Sequence, residues 1–136
     1  MPANRDIMET WLHAIANKRY ELWPELLAED IVATFPLFDE ALAPTRRGYE
    51  DVRQCIYDTT LMFESWDWVE MQSWQTDDPE FVVVRARSSA KTVWGAPYDN
   101  VYMLTGRIRD GKLVEFTEYF DPIRAAELVH GGRANL

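Results

Sequence analysis

The sequence has few residues of the types that bind metals or form cross-links: one cysteine and two histidines in 136 residues. Cys55 alone cannot close an intrachain disulfide, and one cysteine with two histidines gives too few of the usual ligands for a closed zinc site. The six glycines form neither a dinucleotide-binding GxGxxG motif nor a P-loop. We therefore expect no structural metal and no nucleotide cofactor.

Basic residues are also scarce, since 14 Lys and Arg stand against 23 Asp and Glu for a net charge of −9. Such a charge repels a phosphate backbone or an anionic membrane surface, so no nucleic-acid or membrane partner is expected. No apolar run approaches the ~18 residues of a membrane span, and the first residues lack the basic-then-apolar layout of a signal peptide. The expected location is the cytoplasm.

Aromatic residues are abundant: six Trp, six Tyr and six Phe, within 47% hydrophobic residues overall. At about 100 to 200 residues per domain, the length predicts a single domain over residues 1–136 with one core. Aromatic side chains at this density are typical of cores and interfaces.

The first half of the sequence predicts three helices and one short strand. Apolar residues at helical spacing predict an amphipathic helix over residues 5–16, with Asn4 as its N-cap. A shorter helical pattern over residues 20–27 leads into a β-prone run over residues 31–35. A third helix is predicted from Tyr49 onward.

From Trp66 onward the apolar pattern alternates, which predicts four strands over residues 66–76, 81–92, 99–109 and 113–120. The sequences between them, Asp77-Asp78-Pro79 and Asp110-Gly111, are typical of hairpin turns and indicate an antiparallel sheet. The prediction is an α+β fold in which three N-terminal helices pack on one face of a curved, mostly antiparallel sheet.

Glu118 is the strongest candidate for a chemical role. Strand alternation places Val114, Phe116, Glu118 and Phe120 on one face, where Glu118 is the one carboxylate among apolar side chains. Burial raises a carboxyl pKa from about 4.3 toward ~6 to 7, the range suited to proton transfer near neutral pH. The alternatives are that Glu118 pairs with a buried arginine, or that a bulge turns it outward.

Asn100 and Tyr102 share a face of the third long strand, where an amide and a phenol could orient a polar group of an apolar ligand. The alternative is an amide at a hairpin edge and an interface tyrosine. Arg85 and Arg87 lie on the odd-numbered face of the preceding strand, which is either solvated or a dimer interface.

Trp66, Trp68 and Trp74 have the same parity and are predicted to share a sheet face that meets another subunit or a planar ligand. Cys55, within the third helix, is expected to act as a small hydrophobic residue rather than a nucleophile.

The order and spacing of these elements resemble the NTF2-like superfamily, whose cone-shaped α+β fold encloses a pocket. Within it the chain is similar to SnoaL-like proteins, and most of all to the phenazine-biosynthesis PhzA/PhzB family. The resemblance runs almost end to end and rests on Asn4-Arg5 with Glu9, Arg47-Gly48, Trp66-Asp67-Trp68, Tyr98-Asp99-Asn100, Asp110-Gly111-Lys112 and Glu118-Tyr119-Phe120.

The resemblance implies a homodimer built through the sheets, with one small-molecule pocket per subunit and no cofactor. It places Glu118 at the position of the family's acid/base glutamate on the last strand. Cys55 stands where the PhzA/PhzB family keeps a histidine. Trp11 and Phe35 stand where ketosteroid isomerases keep a tyrosine and an aspartate, which excludes steroid-type isomerisation.

The sequence therefore predicts a cofactor-independent acid/base enzyme, with Glu118 as catalytic residue. The reaction would be an isomerisation, cyclisation, condensation or dehydration of a small apolar, ring-bearing intermediate of secondary-metabolite (antibiotic) biosynthesis. The loop over residues 37–48 could close the pocket mouth, and Tyr98 is expected near the pocket. The residues expected to bind the substrate are Asn100, Tyr102, Phe116, Phe120, Trp11, Phe35, Cys55, Tyr57 and Asp39. The alternative is a non-catalytic, dimeric small-molecule-binding protein of the same fold.

Overall fold

The computed structural model describes residues 2–38 and 44–134. The helices are α1 (Asn4–Ala16), α2 (Trp23–Leu26), α3 (Tyr49–Thr60) and α4 (Pro122–Ala134), with a 3₁₀ turn (Tyr20–Leu22) before α2. The strands are β1 (Leu27–Thr34), β2 (Thr45–Arg47), β3 (Phe63–Gln75), β4 (Phe81–Thr92), β5 (Pro97–Arg109) and β6 (Lys112–Phe120). Within these residues, no helix combines the length and the apolar character that crossing a membrane requires.

The six strands form one sheet in the order β2-β1-β6-β5-β4-β3. All neighbours are antiparallel except β1 and β6, which pair in parallel. The predicted class is confirmed, because helices pack on a curved and mostly antiparallel sheet. Strands β4, β5 and β6 begin and end within two residues of their predicted bounds.

The turn between β5 and β6 explains the sharpness of that hairpin. Asp110 and Gly111 both adopt positive φ, 54° and 80°. Two successive residues in this region form the turn whose twist matches that of the flanking strands, and Asp-Gly is a preferred sequence for it.

Helix α1 lies against the inner face of the sheet and supplies much of the core. Its Met8, Trp11 and Leu12 are fully buried. A Cβ atom at Gly106 of β5 would lie 2.7 Å from the sulfur of Met8, so the absence of a side chain there lets the helix approach the strand.

Two predictions for the N-terminal half are wrong. The helix predicted over residues 20–27 is a 3₁₀ turn followed by the four-residue α2, because Leu27 already pairs as the start of β1. Asn4 is not the N-cap of α1: Ala3 occupies that position, and the Asn4 amide donates instead to the Pro79 carbonyl oxygen at 2.8 Å.

Two elements were not predicted. Strand β2 lies inside the segment predicted as loop, where it pairs antiparallel with β1. Helix α4 follows β6, giving four helices in the described part of the chain instead of three. Its start carries a signal in the sequence, because the Asp121 carboxylate accepts the backbone N–H of Ile123 at 2.9 Å just before Pro122 enters the first turn.

A bulge in β3 overturns the prediction that three tryptophans share a face. Trp68 pairs with Ser88 and Glu70 with Arg87, so Val69 is an extra residue that reverses the alternation. Trp66 and Trp68 therefore face inward. Trp74 faces outward, where the Arg85 guanidinium lies 5.6 Å from its ring centre.

A second bulge shifts the start of β6. Arg107 pairs with Glu115 and Ile108 with Leu113, which leaves Val114 as the extra residue. Leu113 is fully buried in the place predicted for Val114. The bulge precedes Phe116, so the rest of the strand keeps its predicted alternation, and Glu118 faces inward opposite Leu104.

Candidate functional site

An aromatic cavity of about 150 Å³ lies between the inner face of the sheet and helices α1, α3 and α4. A cavity of that volume holds about one benzene-sized ring. The aromatic residues that line it are Phe35, Phe38, Phe63, Trp66, Trp68, Tyr98, Tyr102, Phe116 and Phe120. None of the described residues in its wall is a lysine, arginine or histidine.

Glu118 is the one carboxylate among the described residues of this wall. The side chain is half-buried because it faces the cavity. Within the described parts of the chain its carboxyl group has neither a hydrogen bond nor an ion pair. The predicted alternatives, pairing with a buried arginine or rotation outward by a bulge, are therefore wrong.

Burial among apolar side chains raises the pKa of Glu118 to about 7, because the charged form loses its hydration without gaining a partner. At neutral pH the protonated and ionised forms are then both well populated. The group can accept a proton from a weak carbon acid and return it, which a surface carboxylate cannot do efficiently.

A polar network stands at one side of the cavity, where Tyr98 and Tyr102 contribute to the wall. The Asn100 amide nitrogen donates to the Tyr98 hydroxyl oxygen at 2.6 Å, and the Ser88 hydroxyl donates to the Tyr102 hydroxyl oxygen at 3.4 Å. Burial raises the pKa of both tyrosines, and the nearby charge of Glu118 adds to the effect. Both phenols are therefore neutral and available as hydrogen-bond donors.

Cys55 lines the cavity from α3. Burial raises the pKa of its thiol above the ordinary value, so the thiolate form is disfavoured. This agrees with the expectation of a small hydrophobic residue. It also means that Cys55 cannot supply the proton exchange of a histidine at neutral pH.

The structure brings together six of the predicted site residues in one cavity wall: Glu118, Tyr102, Phe116, Phe120, Phe35 and Cys55. Three others lie elsewhere. Trp11 is buried behind the wall, with its ring 5.2 Å from Trp23. Tyr57 packs against Tyr20 at 5.0 Å, and Asn100 lies behind Tyr98. Asp39 and the next four residues of the predicted pocket-mouth loop are outside the described residues.

Other wall residues were not predicted as site residues. Ala125 and Leu128 come from α4, whose existence was not predicted. Trp66 and Trp68 were predicted to line a sheet face that meets another subunit or a planar ligand, and the structure places both in the cavity wall. Tyr98 was placed near the pocket without a role. The alternation Tyr98, Asn100, Tyr102 contains the signal, since all three are buried on the inner face of β5.

The outer face of the sheet differs in character. Several large apolar side chains on it are exposed beside Arg85 and Arg87: Val69, Trp74, Val101, Met103 and Tyr119. In the described residues, no group of three or more His, Cys, Asp or Glu side chains is arranged to hold a metal ion.

Comparison with known sequences gives one family. The model of the SnoaL-like domain matches residues 8–116. A search of the curated proteins found no match.

Solved structures share the fold. A proposed isomerase from Bacillus subtilis superposes with a TM-score of 0.80 at 21% identity, covering 93% of this chain and 91% of that one. A phenazine biosynthesis-related protein from Pseudomonas aeruginosa gives 0.74 at 19% identity, covering 94% and 87%. A proposed polyketide cyclase from Pseudomonas putida gives 0.81 at 12% identity, covering 94% and 98%.

Proposed function

Since the chain belongs to the SnoaL-like domain family, we propose that it is an acid/base enzyme in which Glu118 moves a proton on a small, apolar, ring-bearing biosynthetic intermediate. The observation that carries the proposal is the unpartnered Glu118 carboxyl group in an aromatic cavity. Leaving a carboxyl group unpaired in apolar surroundings is unfavourable for folding, and such groups are concentrated at functional sites.

The reaction class follows from what the site contains. One carboxyl group near neutrality can remove a proton from carbon and return it to another position, which is sufficient for an isomerisation, cyclisation, condensation or dehydration. The cavity holds the reacting ring close to that group, and positioning of this kind is itself a large part of catalysis. The fold neighbours described as a phenazine biosynthesis-related protein and a proposed polyketide cyclase support a biosynthetic setting.

The strongest competing function is a dimeric protein that binds a small apolar ligand without catalysis. It is favoured by Cys55, which stands at the position of the PhzA/PhzB histidine and remains a neutral thiol. Condensation of the phenazine type is disfavoured for the same reason. Glu118 argues against the binding-only alternative, because an ionisable group with a pKa of about 7 is not needed to bind an apolar ligand.

The exposed apolar residues of the outer sheet face support a homodimer. Val101 and Met103 of β5 are 43% and 41% exposed, and Trp74 lies on the same face. Several large apolar side chains exposed on one face are typical of a protein interface. The dimer built through the sheets and the cytoplasmic location both stay predictions.

The proposal can be tested before the natural substrate is known. 2-Cyclohexen-1-one is a one-ring carbon acid, and its exchange of ring hydrogens with D₂O is followed by NMR. We expect the wild-type protein to accelerate exchange, with a rate that rises with pH through about 7 as Glu118 ionises. Glu118→Gln should lower the rate by about 100-fold or more.

The matched control is Glu115→Gln. Glu115 is on the same strand but faces outward, where its carboxylate lies 3.4 Å from the Arg107 guanidinium. This variant should exchange at the wild-type rate. If Glu118→Gln exchanges ring hydrogens as fast as the wild type, the proposal is wrong. If the wild-type protein binds the ketone but does not accelerate exchange, the binding function is favoured.

A further inference from the structure

We propose that the Tyr98 hydroxyl group is a substrate-binding donor that receives a carbonyl oxygen, and that the substrate is accordingly a small neutral carbonyl compound of about one ring. This inference rests on the proposed function and assigns the second polar contact of the same cavity. It is carried by the direction of the hydrogen bonds behind the cavity wall.

The first step is the orientation of the Asn100 amide. Its Oδ1 atom accepts the backbone N–H groups of Val101 at 2.8 Å and Asp121 at 3.1 Å. An oxygen that accepts two backbone donors cannot be exchanged with the amide nitrogen, so the assignment of the two atoms is fixed. The Nδ2 atom therefore faces Tyr98 and donates to its hydroxyl oxygen at 2.6 Å.

The second step is the hydrogen bonding of Tyr102, the other phenol in the wall. The backbone N–H of Asn100 donates to the Ser88 hydroxyl oxygen at 3.3 Å, and the Ser88 hydroxyl donates to the Tyr102 hydroxyl oxygen at 3.4 Å. The bonds that pass through Ser88 therefore end at Tyr102, whereas Tyr98 receives the shorter bond from the Asn100 amide.

The bond from Asn100 ends on the oxygen of Tyr98, so the proton of Tyr98 is left without a protein acceptor among the described residues. A phenol that accepts a short hydrogen bond in this way is also a stronger donor. Tyr98 is therefore the wall residue from which a proton is offered to a ligand.

Aromatic side chains pack against Tyr98. Its ring lies 5.6 Å from that of Phe63 and 6.0 Å from that of Trp66, neither of which offers an oxygen acceptor. No hydrogen bond joins Tyr98 to Glu118 in the described structure. Donor and base thus remain separate, and each is free to contact a different atom of one bound molecule.

The charge of the cavity selects the chemical class of that molecule. The wall holds Glu118 and, within the described residues, no cationic side chain. A carboxylate ligand would be buried beside a like charge with no counter-ion, which is strongly unfavourable. A ketone or aldehyde satisfies the Tyr98 donor and adds no charge, and the volume of about 150 Å³ limits it to about one ring.

The arrangement supports a proton transfer through an enolate. Ionised Glu118 takes a proton from the carbon next to the carbonyl group, and the C–H electron pair moves to form the enolate, whose negative charge lies on the oxygen bound by Tyr98. In an isomerisation the protonated Glu118 then returns the same proton to another carbon, and the carbonyl group re-forms. A donor that meets the charge as it develops favours the transition state over the ground state.

The test compares 2-cyclohexen-1-one with cyclohexene, which has the same ring without the oxygen. Wild type, Tyr98→Phe and the control Tyr119→Phe are titrated with both by ligand-observed NMR. Tyr119 is 42% exposed on the opposite face of the sheet. We expect the ratio of ketone to hydrocarbon affinity to fall about tenfold in Tyr98→Phe, and to be unchanged in Tyr119→Phe.

A spectroscopic reading separates a direct contact from a change of cavity shape. The carbonyl stretching band of the bound ketone is expected at lower frequency in wild type than in Tyr98→Phe, because only a hydrogen bond to the oxygen weakens that bond. Glu118→Gln should keep the low-frequency band while losing proton exchange. Cyclohexanecarboxylate should bind at least tenfold more weakly than the ketone.

The inference is overturned if Tyr98→Phe leaves both the affinity ratio and the band unchanged, if wild type does not bind the ketone, or if the carboxylate binds as tightly as the ketone. The first result, with exchange still dependent on Glu118, would leave the proposed function in place. A Tyr98-dependent band together with exchange that does not need Glu118 would instead contradict the proposed function alone.

Discussion

Glu115 and Glu118 lie three positions apart on one strand, yet the two faces of the sheet give them opposite surroundings. On the outer face, Glu115 pairs with Arg107, whose guanidinium also lies 2.8 Å from the Asp78 carboxylate and holds the pKa of that carboxyl below its usual value. On the inner face, Glu118 has no partner, and burial raises its pKa to about 7. The same side chain is an ion-paired carboxylate on one face and an unpartnered carboxyl group with a raised pKa on the other, so environment decides its chemistry.

The largest expected difference between the faces is in packing. Phe116 is buried on the inner face, with its ring 6.0 Å from that of Trp11, and Phe116→Ala should lower the free energy of unfolding by about 3 to 5 kcal/mol. Val101→Ala on the outer face should lower it by less than about 1 kcal/mol at low protein concentration. Urea denaturation of both variants measures the contrast, and equal losses would contradict it.

The second difference is in the dependence of stability on pH. Glu118 has a folded pKa of about 7 against an ordinary value of 4.5, so its contribution to stability is fully present below about 4.5 and is lost as the pH rises through 7. At about 1.4 kcal/mol per pKa unit, the loss is roughly 3 kcal/mol. Glu118→Gln should therefore be more stable than wild type at pH 8 by up to that amount, and by much less at pH 5.

Urea denaturation of wild type, Glu118→Gln and Glu115→Gln at both pH values provides the comparison. Only the difference between wild type and Glu118→Gln should change with pH. A Glu118→Gln variant that is less stable than wild type at pH 8 would show that the carboxylate has a partner after all.

The third prediction concerns what covers the outer face. If the sheets meet in a homodimer, Met103→Asp places a charge in the apolar interface and should weaken association by about tenfold or more. Ile123→Asp is the control, because Ile123 is 71% exposed on α4. Sedimentation at several concentrations measures the dissociation constants, and a wild-type chain that stays monomeric throughout contradicts the dimer.

The smallest effect is expected from the charged residues at the edge of the outer face. Arg109 binds both carboxylate oxygens of Glu80, at 2.9 and 3.0 Å, but the pair is open to solvent. Arg109→Ala should shift the urea midpoint slightly at low salt, and the shift should vanish at high salt because the pair is screened. A shift that persists in high salt would indicate a larger role for this network.

The sequence predicts most of the sheet, because alternation and turn residues are local signals. The hairpin at Asp110-Gly111 and the inward position of Glu118 both follow from them. The bulges at Val69 and Val114 could not be predicted this way, since one extra residue leaves the composition unchanged and reverses the alternation beyond it. Trp74 was assigned to the wrong face for that reason.

Prediction of the site from the sequence is limited in a similar way. Parity places Glu118, Phe116 and Phe120 on one face of their strand, but it carries no distances and no hydrogen-bond directions. Tyr98 and Asn100 are two residues apart and both buried, yet Tyr98 lines the cavity and Asn100 donates a hydrogen bond to it from behind. That distinction depends on the backbone of Asp121, far along the chain, to which Asn100 is anchored.

The extra residue at Val69 also makes β3 a strand that serves two surfaces in succession. Its first half contributes Trp66 and Trp68 to the cavity, and its second half contributes Trp74 to the opposite surface. Deleting Val69 would leave the composition of the strand nearly unchanged. It would, however, turn the side chains of one half of β3 to the opposite face of the sheet. The wall of the cavity and the exposed face of the sheet thus both depend on a single position in the chain, where the loss of one codon would change which tryptophans each of them carries.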